Sequence, residues 1–403
     1  MTDVLRDRRI VLGVTGSIAA YKAVALASSL TQAGALVDVI MTREALELIR
    51  PLSFQAITHR PVSSELFHML AETEIGHVSL GKSADAVLIA PCTANTLAKL
   101  SYGLADDMLT TTVLATDAPL IIAPAMDAGM YEHSAVQENV ARLQQRGCVI
   151  VSPQEGYLAS GRLGSGRLAD QETILGTLRM ALGSRGDLAG VQVVVTAGGT
   201  EEPIDPVRFV TNRSSGKMGY ALAEAARDRG ARVTLIHAPT GLVSPVGVHL
   251  VPVVTAAQMY DSVRLHYGRA DVLIMAAAVA DFRPRVAAEQ KIKKQAAELS
   301  ILLEPTEDIL MATAQGERHP VRVGFAAETT SLQAYARAKV EAKRLDFIVA
   351  NDVSRADSGF GTDTNLVSFI FADGRVLEYP LLSKRDVADA ILNQVVAIRS
   401  REP

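Results

Sequence analysis

The chain has no tryptophan and only two cysteines, Cys92 and Cys148, among its 403 residues. Two thiols cannot build a disulfide framework or a cysteine-rich zinc site, so neither kind of stapled domain is expected. No run of about 18 uncharged apolar residues occurs, so no membrane-spanning helix is expected either. The opening MTDVLRDRRI lacks the apolar stretch of a secretory leader. An excess of positive charge is also missing. Lys and Arg number 40 against 44 Asp and Glu, a net charge of −4, which argues against a general nucleic-acid binder. A soluble, cytoplasmic protein is the expectation. What remains is an ordinary globular composition, 48% hydrophobic and 21% charged. Its length suits two or three domains of roughly 100–200 residues, each with its own core.

One pattern opens twice. Ile10–Val14 is a short apolar run that enters Thr15-Gly16-Ser17, then a segment with apolar residues at helical spacing that stops at Gly34, then the strand-like LVDVIMT. Val191–Val195 starts the second copy, passing through Thr196–Thr200 and a long polar loop, Glu201–Ser215, to a helix beginning at Gly216-Lys217-Met218-Gly219 and the strand-like ARVTLIH. A Gly-containing polar joint lies between the copies, and the boundary is placed at 186, giving domains 1–186 and 187–403. Further apolar runs alternate with helical patterns in both halves. The pattern predicts an α/β protein of two Rossmann-like domains, each a mainly parallel sheet with helices on both faces. Two apolar runs flanking Asp373-Gly374 predict an antiparallel hairpin near the end, followed by a helix from about Lys384.

Ligands of such sheets gather in the loops at the strand ends. Gly16-Ser17-Ile18 joins a strand to a helix start, where free N–H groups and a hydroxyl suit a phosphate; locally, Ser17 also suits a plain helix cap. Pro91-Cys92-Thr93-Ala94-Asn95-Thr96 repeats the design ahead of a helix read over LAKLSYGLADD, with the same two readings. His77 sits in a polar island before a helix, and an isolated histidine there is more often a surface or satisfied residue than a base. In the second half, Asn212, Arg213, Ser214, Ser215 and Lys217 concentrate donors at a helix start. Ala276–Asp281 presents small residues before an acid. Lys291-Ile292-Lys293-Lys294 is a charge run that locally reads as a solvated face, and Lys339 and Lys343 lie one helical turn apart.

TGSIAAYK, IGHVSL, APCTANTLAKLSYGLADD and APAMDAGMYEH, in that order, resemble the flavin-dependent cysteine decarboxylases over residues 8 to about 185. The resemblance implies FMN bound by Gly16, Ser17, Ile18, Thr42, Pro91, Thr93, Ala94, Asn95, Thr96 and Met126, with His77 catalytic and trimers holding FMN between subunits. Two residues depart from the family. Asp127 stands where relatives carry Asn, and an ionised carboxylate would repel a substrate carboxylate unless it is turned away. Ser160 stands in the family's mobile flap where bifunctional relatives carry a Cys proton donor, and a hydroxyl is a far weaker acid than a thiol. Gly161, Gly164 and Gly166 are read as freedom for that flap to close, with Arg162 or Arg167 meeting an anionic substrate.

TAGGTEEPIDPVRFVTNRSSGKMG, AAAVADFRP, KIKK, GFAAET and ANDVS resemble the phosphopantothenate–cysteine ligase half of the bifunctional phosphopantothenoylcysteine decarboxylase/phosphopantothenate–cysteine ligase family, over about 190 to 395. The resemblance implies a CTP site of Met275, Ala276, Ala277, Asp281, Lys291, Glu307, Asp308, Ile309, Leu310, Phe325, Lys339 and Lys343, with Asn212 at an acyl cytidylate, and Mg²⁺ accompanying the nucleotide. It implies 4′-phosphopantothenate and L-cysteine as substrates, and a dodecamer built from flavin-domain trimers and ligase-domain dimers. Alternatives are an active ligase whose flavin half serves as a binding or assembly module, and an NAD(P) oxidoreductase, which lacks its GxGxxG loop.

Overall fold

The computed structural model describes residues 3–66, 76–293, 299–314, 319–328, 332–352 and 361–401. The chain divides into two compact units, residues 2–183 and 184–403.

The first unit is built on a six-stranded sheet whose spatial order is Val62–Ser63, Leu36–Met41, Arg9–Val14, Ala86–Cys92, Leu120–Pro124, Val149–Ile150, every pair parallel. Its strands are apolar on both faces. Ile10, Leu12 and Val14 enter one core with the helix Ala20–Gln32, while Val11, Val87 and Ile89 enter another with the helices Ala94–Tyr102 and Ser134–Gln145. Strands sandwiched this way lose the alternation of a half-exposed sheet and read as continuous apolar runs.

The second unit repeats the plan in an eight-stranded sheet, ordered His249–Pro252, Arg232–His237, Gln192–Ala197, Val272–Met275, Val321–Glu328, Phe347–Asp352, Val367–Phe371, Val376–Glu378. The last two strands run antiparallel as the predicted hairpin, with Gly374 at φ 85° in the turn, and the final helix is Lys384–Arg399.

In each unit the strand order reverses beside the first strand, which opens a crevice between that strand's carboxyl end and its neighbour's. A buried threonine closes the floor of each crevice. Thr15 Oγ1 donates to the Pro91 carbonyl at 2.8 Å and accepts the Thr93 N–H at 3.0 Å. Thr196 Oγ1 accepts the Ala277 N–H at 3.1 Å. The loops carrying the motifs are thereby fixed to one another.

Four expectations are corrected. The helix read through LAKLSYGLADD ends at Tyr102, because Gly103 turns left-handed (φ 72°), and Asp107 caps a second helix, Met108–Leu114. His77 lies within the first turn of the helix Gly76–Ser83 rather than before it. Glu201–Ser215 is not all loop: Glu201–Pro203 pairs antiparallel with Phe209–Thr211. The flap is likewise a hairpin, Gln154–Tyr157 against Leu163–Arg167.

Candidate functional site

The crevice of the first unit holds a cavity of about 640 Å³ lined by Gly16, Ser17, Ile18, Thr93, Ala94, Met126, Asp127, Ser160 and Arg167 among the expected residues. Ser17 is not the cap of the helix Ala20–Gln32. That position belongs to Ala19, which makes no side-chain cap bond, and Ser17 Oγ accepts a long 3.4 Å bond from the Ala19 N–H. The helix therefore presents its N-terminus to the cavity, where an anion is favoured.

Lys22, one turn further on, also lines the cavity, and burial and then the Arg167 charge push its ammonium below the ordinary lysine value. Two cations that repel each other beside a helix N-terminus suit a phosphate. Ile18, Ala94, Ala125, Met126, Met130 and Leu168 supply an apolar slot beside them. An apolar slot with a cationic end fits a planar ring carrying a phosphate tail, so the residues present fit a flavin mononucleotide.

The hairpin lies tightly over this cavity. A Cβ on Gly166 would stand 2.3 Å from the Met126 carbonyl oxygen, and one on Gly164 would stand 2.6 Å from Ala128 Cβ. Of the three flap glycines only Gly161 is left-handed, at φ 77°. Gly164 and Gly166 thus serve close approach rather than flexibility. Ser160 Oγ donates to Asp127 Oδ2 at 2.6 Å, and Asp127 Oδ1 accepts the Gly129 N–H at 3.0 Å. These two bonds, led by that of Ser160, hold the Asp127 carboxyl below the usual range, so it is ionised at neutral pH.

The other expected residues stand off the lining. Pro91 supplies the carbonyl held by Thr15. Thr96 is buried behind the cap residue Thr93, their hydroxyls 3.1 Å apart. Thr42 is buried, and its hydroxyl has no partner among the described residues. Asn95 and Arg162 are exposed. His77 Nδ1 is buried, also with no partner among the described residues. Cys92 is fully buried and Cys148 half-buried; burial raises both thiols, and neither lines either crevice cavity.

The crevice of the second unit holds a cavity of about 750 Å³, lined by Asn212, Met275, Ala276, Ala277, Asp281, Glu307, Asp308, Ile309, Leu310, Phe325, Lys339 and Lys343. The glycines of Gly216-Lys217-Met218-Gly219 have distinct reasons. Gly216 caps the helix Lys217–Arg227 at φ 75°, a conformation that suits glycine, while a Cβ on Gly219 would lie 2.5 Å from Ala197 Cβ, where the helix start presses on the strand end. Asn212 Nδ2 donates to the Val279 carbonyl at 3.0 Å.

Asp308 caps the helix Ile309–Thr313 and pairs with Lys343 at 2.8 Å. Burial works to raise its carboxyl, but the Lys343 ammonium and the Met311 N–H hold it below the usual range. Lys343 follows the helix Leu332–Ala342 and keeps helical register through a 3.0 Å bond from its N–H to the Lys339 carbonyl, so both lysines share one face. Lys291 does not line the cavity. It is exposed, in a segment whose Ile292 N–H is held by Asp205 at 3.1 Å. Lys294 lies outside the described residues. Among the described residues no three His, Cys, Asp or Glu gather as a metal site.

Sequence reasoning missed Lys22 and Tyr21 in the first cavity and Lys384 and Asn365 in the second. A cation one turn into an anion-facing helix was a usable signal for Lys22. Lys384 and Asn365 come from a stretch legible only as a hairpin and a helix.

The Flavoprotein family model matches residues 2–183, and the model of the DNA/pantothenate metabolism flavoprotein C-terminal domain matches residues 188–398. Over 397 residues, 98% of each chain, the protein is 47% identical to the coenzyme A biosynthesis bifunctional protein CoaBC of Bacillus subtilis (strain 168). The solved C-terminal domain of a CoaBC protein is 41% identical, with a TM-score of 0.47, covering 54% of this chain and 100% of that one. The FMN-dependent cysteine decarboxylase SpaF is 36% identical, with a TM-score of 0.39, covering 44% of this chain and 97% of that one. Similarity to CoaBC across both halves lends no support to a flavin half kept only for assembly. The chain belongs to the CoaBC family of bifunctional coenzyme A biosynthesis proteins, flavoproteins that combine a ligase with a decarboxylase.

Proposed function

We propose that the downstream unit joins 4′-phosphopantothenate to L-cysteine at the expense of CTP, and that the upstream unit decarboxylates the phosphopantothenoylcysteine so formed to 4′-phosphopantetheine with FMN. The observation that carries this reading is a pair of crevices at equivalent points of two sheets, one an apolar slot with a cationic end, the other a polar, lysine-lined cavity large enough for two substrates.

A carboxylate is an unreactive anion, and CTP converts it to an acyl cytidylate with loss of pyrophosphate. Negative charge builds on phosphoryl oxygens in that step, and Lys339, Lys343 and Lys291 are the cations assigned to it. Magnesium travels with the nucleotide phosphates, with Asp281 as an acidic neighbour in the cavity. Asn212, its amide nitrogen held by Val279, keeps its carbonyl oxygen for the incoming cysteine amine. Attack of that amine on the acyl carbon forms the amide and expels CMP.

In the upstream unit, Gly16, Ser17, Ile18 and Lys22 take the FMN phosphate, while Thr93, Ala94 and Met126 face the ring; Thr42, Pro91, Asn95 and Thr96 back that site. Bound there, FMN supplies a two-electron acceptor and donor for the thiol-bearing carbon of the substrate, without which carbon dioxide would leave behind an unstabilised carbanion. Arg167 and Arg162 orient the anionic substrate. Asp127 is turned onto Ser160 and Gly129, which answers the repulsion expected of it. His77 moves the proton, from a neighbouring subunit of a trimer. Trimers of this unit and dimers of the other make a cytoplasmic dodecamer.

One reaction tests the whole scheme: phosphopantothenate, cysteine and Mg²⁺ with CTP or ATP, followed by mass. Phosphopantothenoylcysteine and then phosphopantetheine are expected with CTP. Absence of the first product would refute the ligase assignment, and its accumulation without loss of carbon dioxide would refute the decarboxylase.

A further inference from the structure

We propose that Lys384, together with Lys217 and Asn365, forms a phosphate-binding subsite of the downstream cavity, distinct from the pair Lys339 and Lys343. The identity of the substrates that bring the phosphate rests on the ligase reading above; the subsite itself rests on the following geometry.

Lys384 is the first residue of the 16-residue helix Lys384–Arg399, is only 9% exposed, and lines the cavity. Two effects oppose a cation there, since the helix N-terminus carries partial positive charge and burial strips the ammonium of water. Its Nζ donates to Asn365 Oδ1 at 2.7 Å, a neutral acceptor. Lys217 repeats the arrangement as the first residue of the 11-residue helix Lys217–Arg227, lining the same cavity. The carboxylate beside both is Asp363, paired with Lys217 at 2.6 Å, its side chain 87% exposed to water. Among the described residues, two ammonium groups and two helix N-termini thus share a cavity wall with one carboxylate, which is solvated. Burial, followed by the charge of Lys217, draws the Lys384 ammonium down to about 8, so it remains mostly protonated at pH 7.

A group with two negative charges and several acceptor oxygens relieves this imbalance, and phosphate is that group. Lys343, paired with Asp308 at 2.8 Å, and Lys339, one turn before it, form a separate cationic cluster of the same cavity. A ligase of this chemistry handles two phosphorylated substrates, and a cavity with two cationic clusters has a place for each. The phosphate at Lys384 comes from the phosphomonoester of the acid or from the polyphosphate of the nucleotide. The chemistry is the same, and kinetics separate the two sources.

The experiment uses the full-length chain carrying Lys384→Gln, with pyrophosphate release measured while each substrate is varied at saturation of the other. The KM for one of them is expected to rise by roughly 10- to 100-fold, the scale of one hydrogen bond to a charged group, with kcat much less affected. A rise for phosphopantothenate assigns the subsite to the phosphomonoester; a rise for CTP assigns it to the polyphosphate. Lys384→Arg, which keeps the charge, is expected to recover most of the loss. Unchanged KM for both substrates, or a fall in kcat alone, overturns the subsite. Should the variant fold poorly, Lys217→Gln, at the more exposed partner, is expected to move the same KM, and no change there overturns the proposal. If the wild type itself releases no pyrophosphate, the ligase reading fails. The subsite then stands or falls on whether inorganic pyrophosphate raises the thermal midpoint of the wild type and not of Lys384→Gln.

Discussion

Ser160 Oγ donates a 2.6 Å hydrogen bond to Asp127 Oδ2. The two residues that depart from the family pattern of the upstream half therefore meet each other. The bond ties the tip of the hairpin Gln154–Tyr157/Leu163–Arg167 to the segment after the strand Leu120–Pro124, and the Met126 N–H, donating to the Gly166 carbonyl at 3.0 Å, ties its base. With its proton given to a carboxylate, Ser160 is expected to act through the hairpin and Asp127 rather than as an acid toward substrate.

Ser160→Ala is thus expected to loosen the hairpin over the cavity and to let the Asp127 carboxyl return toward its usual range. Formation of the saturated thiol should fall by roughly tenfold or more, the scale of one hydrogen bond to a charged group. Carbon dioxide release should fall less, so a product lighter by two hydrogens accumulates. Mass analysis of the thiol products decides this, and an unchanged product ratio would show that the bond plays no part in the reduction.

Gly166→Ala tests the hairpin from its base. The new methyl would lie 2.3 Å from the Met126 carbonyl oxygen, which is backbone and cannot swing aside. The strand must lift, at a cost of about 1–3 kcal/mol. A lower urea midpoint together with weaker retention of flavin colour is the expected result. Full retention of both would mean that the close approach is dispensable.

Much of this architecture was legible because both faces of each sheet are buried, so strands such as Ile10–Val14 and Ala86–Cys92 announce themselves as apolar runs. The two crevices followed from the repeated order of strand, small-residue loop and helix. What escaped notice lacked periodicity. Strands of three residues, such as Glu201–Pro203 and Phe209–Thr211, are too short to show alternation, and their pairing depends on a turn organised by the Asp205 side chain. Gly103 interrupts an apolar pattern that continues past it, and only its left-handed backbone reveals the break. Lys384 and Asn365 reach the downstream cavity from elements that follow the whole nucleotide-facing set, a juxtaposition made by the sheet and not by spacing along the chain.

A stability test lies at the start of the downstream unit. Arg227 is buried, with its guanidinium on Asp228 Oδ1 at 2.6 and 2.9 Å, and Arg385 reaches Asp228 Oδ2 at 2.8 Å. Asp228→Ala strands the Arg227 charge with the Val246 carbonyl at 2.7 Å. Breaking one side of a buried pair costs about 3–5 kcal/mol. Urea unfolding of the isolated variant should show a loss of that size, and a loss below about 1 kcal/mol would mean that water reaches the site.

Asp205 links acid stability to the placement of Lys291. Its side chain is buried; Oδ1 accepts the Val207 and Arg208 N–H groups, each at 2.9 Å, and Oδ2 takes the Arg208 guanidinium and the Ile292 N–H, the latter at 3.1 Å. The Arg208 hydrogen bond, with help from the three backbone donors, holds its carboxyl far below the usual carboxylate range. A carboxyl depressed in the folded state contributes stability above its unfolded pKa, near 3.9, and loses that contribution as pH falls toward the folded value. The stability gap between wild type and Asp205→Asn should therefore be constant above about pH 5 and shrink below about pH 4. At neutral pH the same variant frees the Ile292 N–H and unfixes Lys291 beside it. Lys291→Gln should lower cytidylate formation by on the order of 10²-fold, the range for loss of one pre-organised donor. Asp205→Asn should reproduce part of that kinetic loss while Lys291 is still present. Pyrophosphate release in the single and double variants measures the link, and fully additive losses would show that Asp205 does nothing to position Lys291.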